Sequence, residues 1–136
     1  MKNKKNNMDR LCSLNNKKSA QMKRKRFYIE QIAYIKKLIN QNRKELDFNN
    51  GWIKFHKNSI KKHKQEIRQT CDLNYKNDQE EKIIFHKNQI DNHHNKNIMY
   101  HDKEIVELFK ELELFQNGIK RCQSNIEFLN NKINNL

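Results

Sequence analysis

Isoleucine and leucine recur every seven residues along most of this chain, and this spacing limits the possible folds more than any other feature. In the C-terminal half, a second apolar set follows three residues after most members of the first. Alternating steps of three and four residues are typical of the seam of a supercoiled helix. The predicted seam comprises Ile32, Ile39, Leu46, Ile53, Ile60 and Ile67, then Ile98, Ile105, Leu108, Leu112, Phe115, Ile119, Cys122, Ile126, Leu129 and Ile133.

The N-terminal stripe differs from the C-terminal one because its second seam position is mostly polar. The companions that follow each isoleucine or leucine by three residues begin with Ile35 and continue with Asn42, Asn49, His56, His63 and Thr70. A polar residue at a seam position lowers stability but fixes register. We therefore expect the N-terminal half to contribute fewer apolar contacts than the C-terminal half.

The composition supports an all-α fold. The chain has no proline and only two glycines, so a fold of many strands and tight turns is not expected. We predict an elongated antiparallel two-helix coiled-coil hairpin. The sequence contains no apolar run of membrane-spanning length and no recognisable leader, which favours a cytoplasmic location. The three cysteines, Cys12, Cys71 and Cys122, are then expected to be free thiols in a reducing compartment.

The position of the hairpin turn follows from the loss of the seven-residue phase between the two stripes. We predict one helix over about 27–70, a turn over about 71–78 and a second helix over about 79–135. Asp78, followed three residues later by Glu81, is typical of a helix start with a capping box. The turn-forming sequence around Gly51 remains an alternative, although the seam keeps its phase across it.

An internal repeat flanks the predicted turn. Residues 53–63 and 83–93 are identical at seven of eleven positions, either through duplication or by chance in a sequence of low complexity. A turn centred near residue 74 would place His56 opposite His93, and His63 opposite His86. Such pairs could bind a divalent metal or form polar layers; polar layers are favoured because no cysteine or carboxylate completes a ligand set. No cofactor is expected.

Positive charge is concentrated near the N-terminus. The net charge is +13, and residues 1–68 carry 20 basic and 5 acidic side chains. Residues 1–26 are predicted to form a basic, partly disordered arm. The run Lys23, Arg24, Lys25 and Arg26 is the candidate partner-binding site, because such a cluster can contact phosphates or an acidic protein. A solvated arm made lysine-rich by an AT-rich genome is the alternative.

Two short segments resemble the flagellar export protein FliJ family. They are Leu-Ile-Asn-Gln-Asn-Arg at residues 38–43 and Asn-Gly-Trp-Ile-Lys-Phe at residues 50–55. The resemblance to the family extends over residues 35–67. Gly51 and Phe55 stand where the family has arginine and tyrosine. The resemblance implies an antiparallel two-helix coiled coil that contacts the export ATPase, the export gate and export chaperones. It also implies a glycine-containing loop near Gly51.

The expected function is therefore that of a non-enzymatic accessory protein of a bacterial flagellar type III export apparatus. The sequence contains no phosphate-binding glycine loop, nucleophile elbow or metalloprotease motif, which disfavours an enzyme. Two other functions remain open: a basic coiled coil that binds nucleic acid, and a structural coiled coil that forms homo-oligomers.

Overall fold

A computed structural model describes residues 2–136, apart from the side chains of residues 2, 3 and 100. Helix α1 spans Lys2–Gln69, α2 spans Leu73–Lys96 and α3 spans Lys103–Asn134, with a π-helix at Asn97–Asp102 between α2 and α3. The described residues contain no β-strand, so the all-α class predicted from the sequence is confirmed. No helix among them combines the length and apolar character needed to cross a membrane.

The first helix is longer than the sequence predicted, and this corrects two expectations. Residues 2–26 belong to α1 rather than to a partly disordered arm. These residues include no proline or glycine, and lysine, arginine and glutamine favour helix. The helix also continues through Asn49, Asn50 and Gly51, so the described structure has no loop at the alternative break. One glycine costs a helix only about 1 kcal/mol.

The connection between α1 and α2 is shorter and earlier than predicted. It consists of Thr70, Cys71 and Asp72. The Asp72 carboxylate accepts hydrogen bonds from the backbone N–H groups of Asn74 and Tyr75, at 3.0 and 3.3 Å, and so caps α2. This N-cap satisfies donors that a helix start otherwise leaves unpaired. The predicted start at Asp78 was wrong because the true cap lacks the glutamate that completes a capping box.

The chain divides into two compact units. Unit 1 contains the residues up to Leu38 together with Leu108–Leu136, and unit 2 contains Ile39–Glu107. In unit 1, the Tyr28 ring packs against the Phe115 ring with centroids 5.7 Å apart. The most deeply buried apolar side chains of this unit are Ile35, Cys122 and Leu129.

In unit 2, α1 packs against α2 and the π-helix with antiparallel polarity. The side chain of Asn49 is hydrogen-bonded to that of Asn97, and His63 to Gln79, so partner numbers fall as residue numbers rise along α1. Ile39, Ile53 and Ile83 are the buried apolar residues of this unit.

The π-helix changes which residues face inward. A π-helix has i→i+5 hydrogen bonds and therefore more residues per turn than an α-helix. Asn97 is buried and His101 half-buried, whereas the side chain of Ile98 is 54% exposed. The prediction that Ile98 lies in the seam was therefore wrong. The other fifteen predicted seam residues are each buried or half-buried.

Candidate functional site: a polar seam and an aromatic surface

Unit 2 contains a row of polar side chains between α1 and the helices packed against it. We call this row the polar seam, and its members are Asn49, His56, His63, Gln79, His86, His93 and Asn97. Asn49, His56, Gln79 and Asn97 are buried, and Gln79 is only 2% exposed. A buried polar group is costly unless it is hydrogen-bonded. The row therefore needs partners throughout its length.

The asparagines at one end of the polar seam form a directed chain of hydrogen bonds. The His93 Nδ1–H donates to Asn49 Oδ1 at 3.3 Å, and Asn49 Nδ2 donates to Asn97 Oδ1 at 3.0 Å. Asn97 Nδ2 then donates to Asn50 Oδ1 at 3.1 Å. Asn49 and Asn97 each use both the oxygen and the nitrogen of the side-chain amide. A shift of α1 by one residue would break the whole chain, so these bonds fix the register.

The histidines of the polar seam do not pair as the sequence predicted. His56 Nδ1 lies 2.7 Å from His86 Nδ1, and His63 Nδ1 donates to Gln79 Oε1 at 2.5 Å. Because the turn is centred at Cys71 rather than between residues 74 and 75, the hydrogen-bond partner of each histidine lies one heptad earlier in the chain than predicted. The predicted partners remain neighbours by ring stacking, with centroid distances of 5.9 Å between His56 and His93 and 5.4 Å between His63 and His86.

The hydrogen bond between His56 and His86 restricts protonation. One Nδ1 must donate and the other must accept, so the bond requires that at least one ring be neutral at Nδ1. Burial, and then the neighbouring charges of His56 and His63, lower the pKa of His86 below its ordinary value of 6.5. Burial also lowers the pKa of His93, with His56 and Lys96 adding to the effect. The surroundings of His86 and His93 therefore favour the neutral form of these two imidazoles.

The four histidines were also candidate metal ligands. The part of the chain that the structure describes contains no group of three or more histidine, cysteine or carboxylate side chains arranged to hold a metal ion. The partners of these imidazoles are amides and other imidazoles. This arrangement suits a role in fixing the register of the helices.

A further histidine lies beyond the asparagine end of the polar seam. His101 Nε2 is 3.2 Å from Glu45 Oε2, and its side chain is 12% exposed. Its Nδ1 atom is buried without a hydrogen-bond partner. His101 lies seven residues before Leu108, so it stays on the line of the seam, where it is half-buried.

An exposed group of aromatic side chains lies next to the polar seam and was not predicted as a site. We call Phe48, Gly51, Trp52 and Phe55 the aromatic surface. The three aromatic side chains are 66%, 42% and 53% exposed, respectively. Their spacing of four and then three residues places them on one helix face. That spacing was visible in the sequence, but it falls outside the apolar stripe from which the seam was predicted.

Trp52 joins the aromatic surface to the polar seam. Its ring is nearly parallel to that of His93, at an interplanar angle of 4° and a centroid distance of 6.4 Å. It also stacks on His56 at 5.9 Å. Phe48 and Phe55 meet the indole edge-on from either side, at 6.2 and 5.6 Å. The exposed indole is thus held by side chains of the seam.

The basic run and the cysteines lie elsewhere. Lys23, Arg24 and Arg26 are exposed on α1, whereas Lys25 is half-buried because it falls on an inward position. Cys12 and Cys71 are exposed free thiols, and Cys122 is buried in unit 1.

Comparisons of the chain with protein-family models, with characterised proteins and with solved structures give no match.

Proposed function

We propose that the chain forms an antiparallel coiled-coil hairpin. Two observations support this proposal, one from each unit. In unit 2, the polar seam joins side chains across antiparallel helices at heptad positions. In unit 1, the inward residues of α3 follow alternating steps of four and three residues from Leu108 to Ile133. Both features are typical of paired supercoiled helices.

The function that this geometry supports best is that of a non-enzymatic accessory protein that binds other proteins. The single observation that carries it is the aromatic surface, because exposed aromatic clusters commonly mark protein-binding sites. Trp52 and Phe55 also belong to the segment that resembles the FliJ family. We therefore propose the flagellar type III export ATPase, export gate or chaperones as partners.

Co-purification tests this function directly. The tagged chain would be mixed with the flagellar export ATPase encoded in the same genome, and complex formation measured by size-exclusion chromatography. We expect a complex that is lost with Trp52→Ala and retained with Phe128→Ala, an exposed aromatic residue of unit 1. A genome without a flagellar export ATPase, or the absence of any complex with ATPase, gate or chaperone, would contradict the assignment.

A nucleic-acid-binding function is the second candidate, supported by the exposed cations Lys23, Arg24 and Arg26. Each phosphate neutralised releases counterions, so affinity for duplex DNA should fall steeply with salt. Replacing all three residues with glutamine should then weaken binding and flatten the salt dependence. No DNA binding at low salt would eliminate this candidate. Concentration-dependent self-association without DNA would favour the structural, oligomer-forming alternative.

A further inference from the structure

The two glycines of the chain have opposite surroundings. A Cβ atom added to Gly118 would lie 2.8 Å from Tyr28 Cε2, so the absence of a side chain there allows close packing within unit 1. A Cβ atom added to Gly51 would meet nothing within 4 Å, and Gly51 does not have positive φ. Glycine is less favourable than alanine within a helix, because its backbone loses more conformational freedom on folding. No contact or backbone conformation within the described chain accounts for glycine at position 51.

The missing side chain at Gly51 opens a hollow in the aromatic surface. Phe48, Trp52, Phe55 and Asp47 line this hollow together with Gly51, and it is an open depression of about 470 Å³. Its lining is almost entirely apolar, with Asp47 at one edge. An apolar side chain from another molecule could enter above the glycine backbone and contact aromatic rings on three sides.

The aromatic surface is already ordered before any partner binds. Trp52 is stacked on His56 and His93, and its edges contact Phe48 and Phe55. A fixed indole loses little conformational freedom on binding, which lowers the entropic cost of association. This arrangement favours docking of a partner over simple exposure of unrelated apolar residues.

The charges around the hollow select the partner. Between residues 43 and 62 the chain carries six basic and two acidic side chains. Lys44, Lys54, Lys57 and Lys62 are exposed. A second copy of this chain would bring another +13 against this surface and be repelled. An acidic partner is attracted instead, and electrostatic complementarity raises its association rate.

We propose that the aromatic surface docks the apolar face of an acidic amphipathic helix from a partner protein, with one apolar side chain seated over Gly51. This inference rests on the proposed protein-binding function and specifies the chemistry of the partner. An amphipathic helix presents apolar residues at i, i+3, i+4 and i+7, which matches a surface that runs along two turns of α1.

The test uses the full chain and a pair of synthetic helical peptides that contain no tryptophan. Both peptides carry leucine at i, i+3, i+4 and i+7; one has glutamate at its other charged positions and its control has lysine. Trp52 is the only tryptophan of the chain, so its fluorescence reports directly on the surface. We expect a saturable blue shift with the glutamate peptide and binding at least about tenfold weaker with the lysine peptide.

Gly51→Ala separates docking from folding. Alanine should raise the melting temperature of the chain because it favours helix. It should also lower the affinity for the glutamate peptide by about fivefold or more, because its methyl group fills the hollow. Asn92→Ala, at an exposed position of α2, is the control: it should also favour helix but leave peptide affinity unchanged. Phe48→Ala should weaken binding as well, whereas Phe128→Ala should not.

Any of three results would overturn the proposal. The first two are equal binding of both peptides and an unchanged affinity of Gly51→Ala for the glutamate peptide. The third is a shift in Trp52 fluorescence that depends on protein concentration without peptide, which would assign the surface to a second copy. Loss of peptide binding while the export ATPase is still bound would refute this surface but not the proposed function. Peptide binding without any export partner would refute the export assignment and leave this surface as a docking site.

Discussion

Unit 1 and unit 2 use different chemistry at their helix contacts. Unit 1 buries Ile35, Cys122 and Leu129, whereas unit 2 buries four polar residues of the polar seam beside its three isoleucines. Burying an aliphatic side chain contributes about 1.5–3 kcal/mol without specifying a single partner. A buried hydrogen bond contributes less to stability, but it forms only when the correct donor and acceptor lie opposite each other. We infer that unit 1 supplies stability and unit 2 supplies register.

The largest expected effect on stability comes from unit 1. Ile35→Ala should lower the free energy of unfolding by about 2–5 kcal/mol, because Ile35 is 2% exposed and its loss leaves a cavity. Its neighbour Tyr34 is 59% exposed, so Tyr34→Ala should cost about 0.5 kcal/mol or less. Chemical denaturation measures both values. Similar losses for the two variants would contradict the assignment of this face to the interior.

The next largest effect concerns the register of the helices in unit 2. Asn49→Ala should cost about 1–3 kcal/mol, because it leaves the Asn97 and His93 side chains without their amide partner. Replacing Asn49 and Asn97 together with leucine should recover part of this loss, because neither amide of the buried pair is then left unpaired. If the polar seam fixes register, this double variant should also lose its single set of NMR signals. A double variant with one well-defined conformation would show that apolar packing alone sets the alignment.

Acidification should destabilise unit 2 by a smaller amount for each histidine, because His86 and His93 are only half-buried. Their folded-state pKa values are lowered from 6.5, so the unfolded chain binds protons more readily than the folded chain. Stability is therefore fully present above about pH 6.5 and falls as the pH drops towards the lowered folded-state pKa values. His86→Gln with His93→Gln should flatten this dependence in denaturation series, whereas exposed His94→Gln should not. A slope unchanged by the double variant would assign the effect to other groups.

The smallest effects come from the glycines and should differ in sign. Gly51→Ala should stabilise the chain by up to about 1 kcal/mol, since nothing blocks its side chain. Gly118→Ala should destabilise by about 1 kcal/mol, because its Cβ meets the Tyr28 ring. In a Tyr28→Ala background the same change at Gly118 should become stabilising. Parallel thermal melts test this cycle, and equal shifts in both backgrounds would exclude the Tyr28 contact as the cause.

Much of the fold follows from the spacing of residues in the sequence. The helical class and the inward positions in α1 can be predicted because a step of three and four residues has one structural explanation. The histidine partners could not, because a cap at Asp72 rather than Asp78 shifts every pair by one heptad. Asn97 rather than Ile98 faces inward, because a π-helix has no reliable sequence signal. The aromatic surface lay outside the stripe, where periodicity carries no information about function.

The π-helix at Asn97–Asp102 has a consequence for how this chain tolerates changes in length. Asn97, His101 and Ile105 face inward at successive steps of four residues, where the heptad pattern would alternate three with four. Removing Ile98 would leave steps of three and four, so the segment could become ordinary α-helix while its inward residues stay in place. A one-residue deletion at this point should therefore preserve a cooperative melt, whereas deletion of Ile90 should turn His93 and Asn97 out of the polar seam. The heptad frame thus contains one surplus residue, and the π-helix accommodates it.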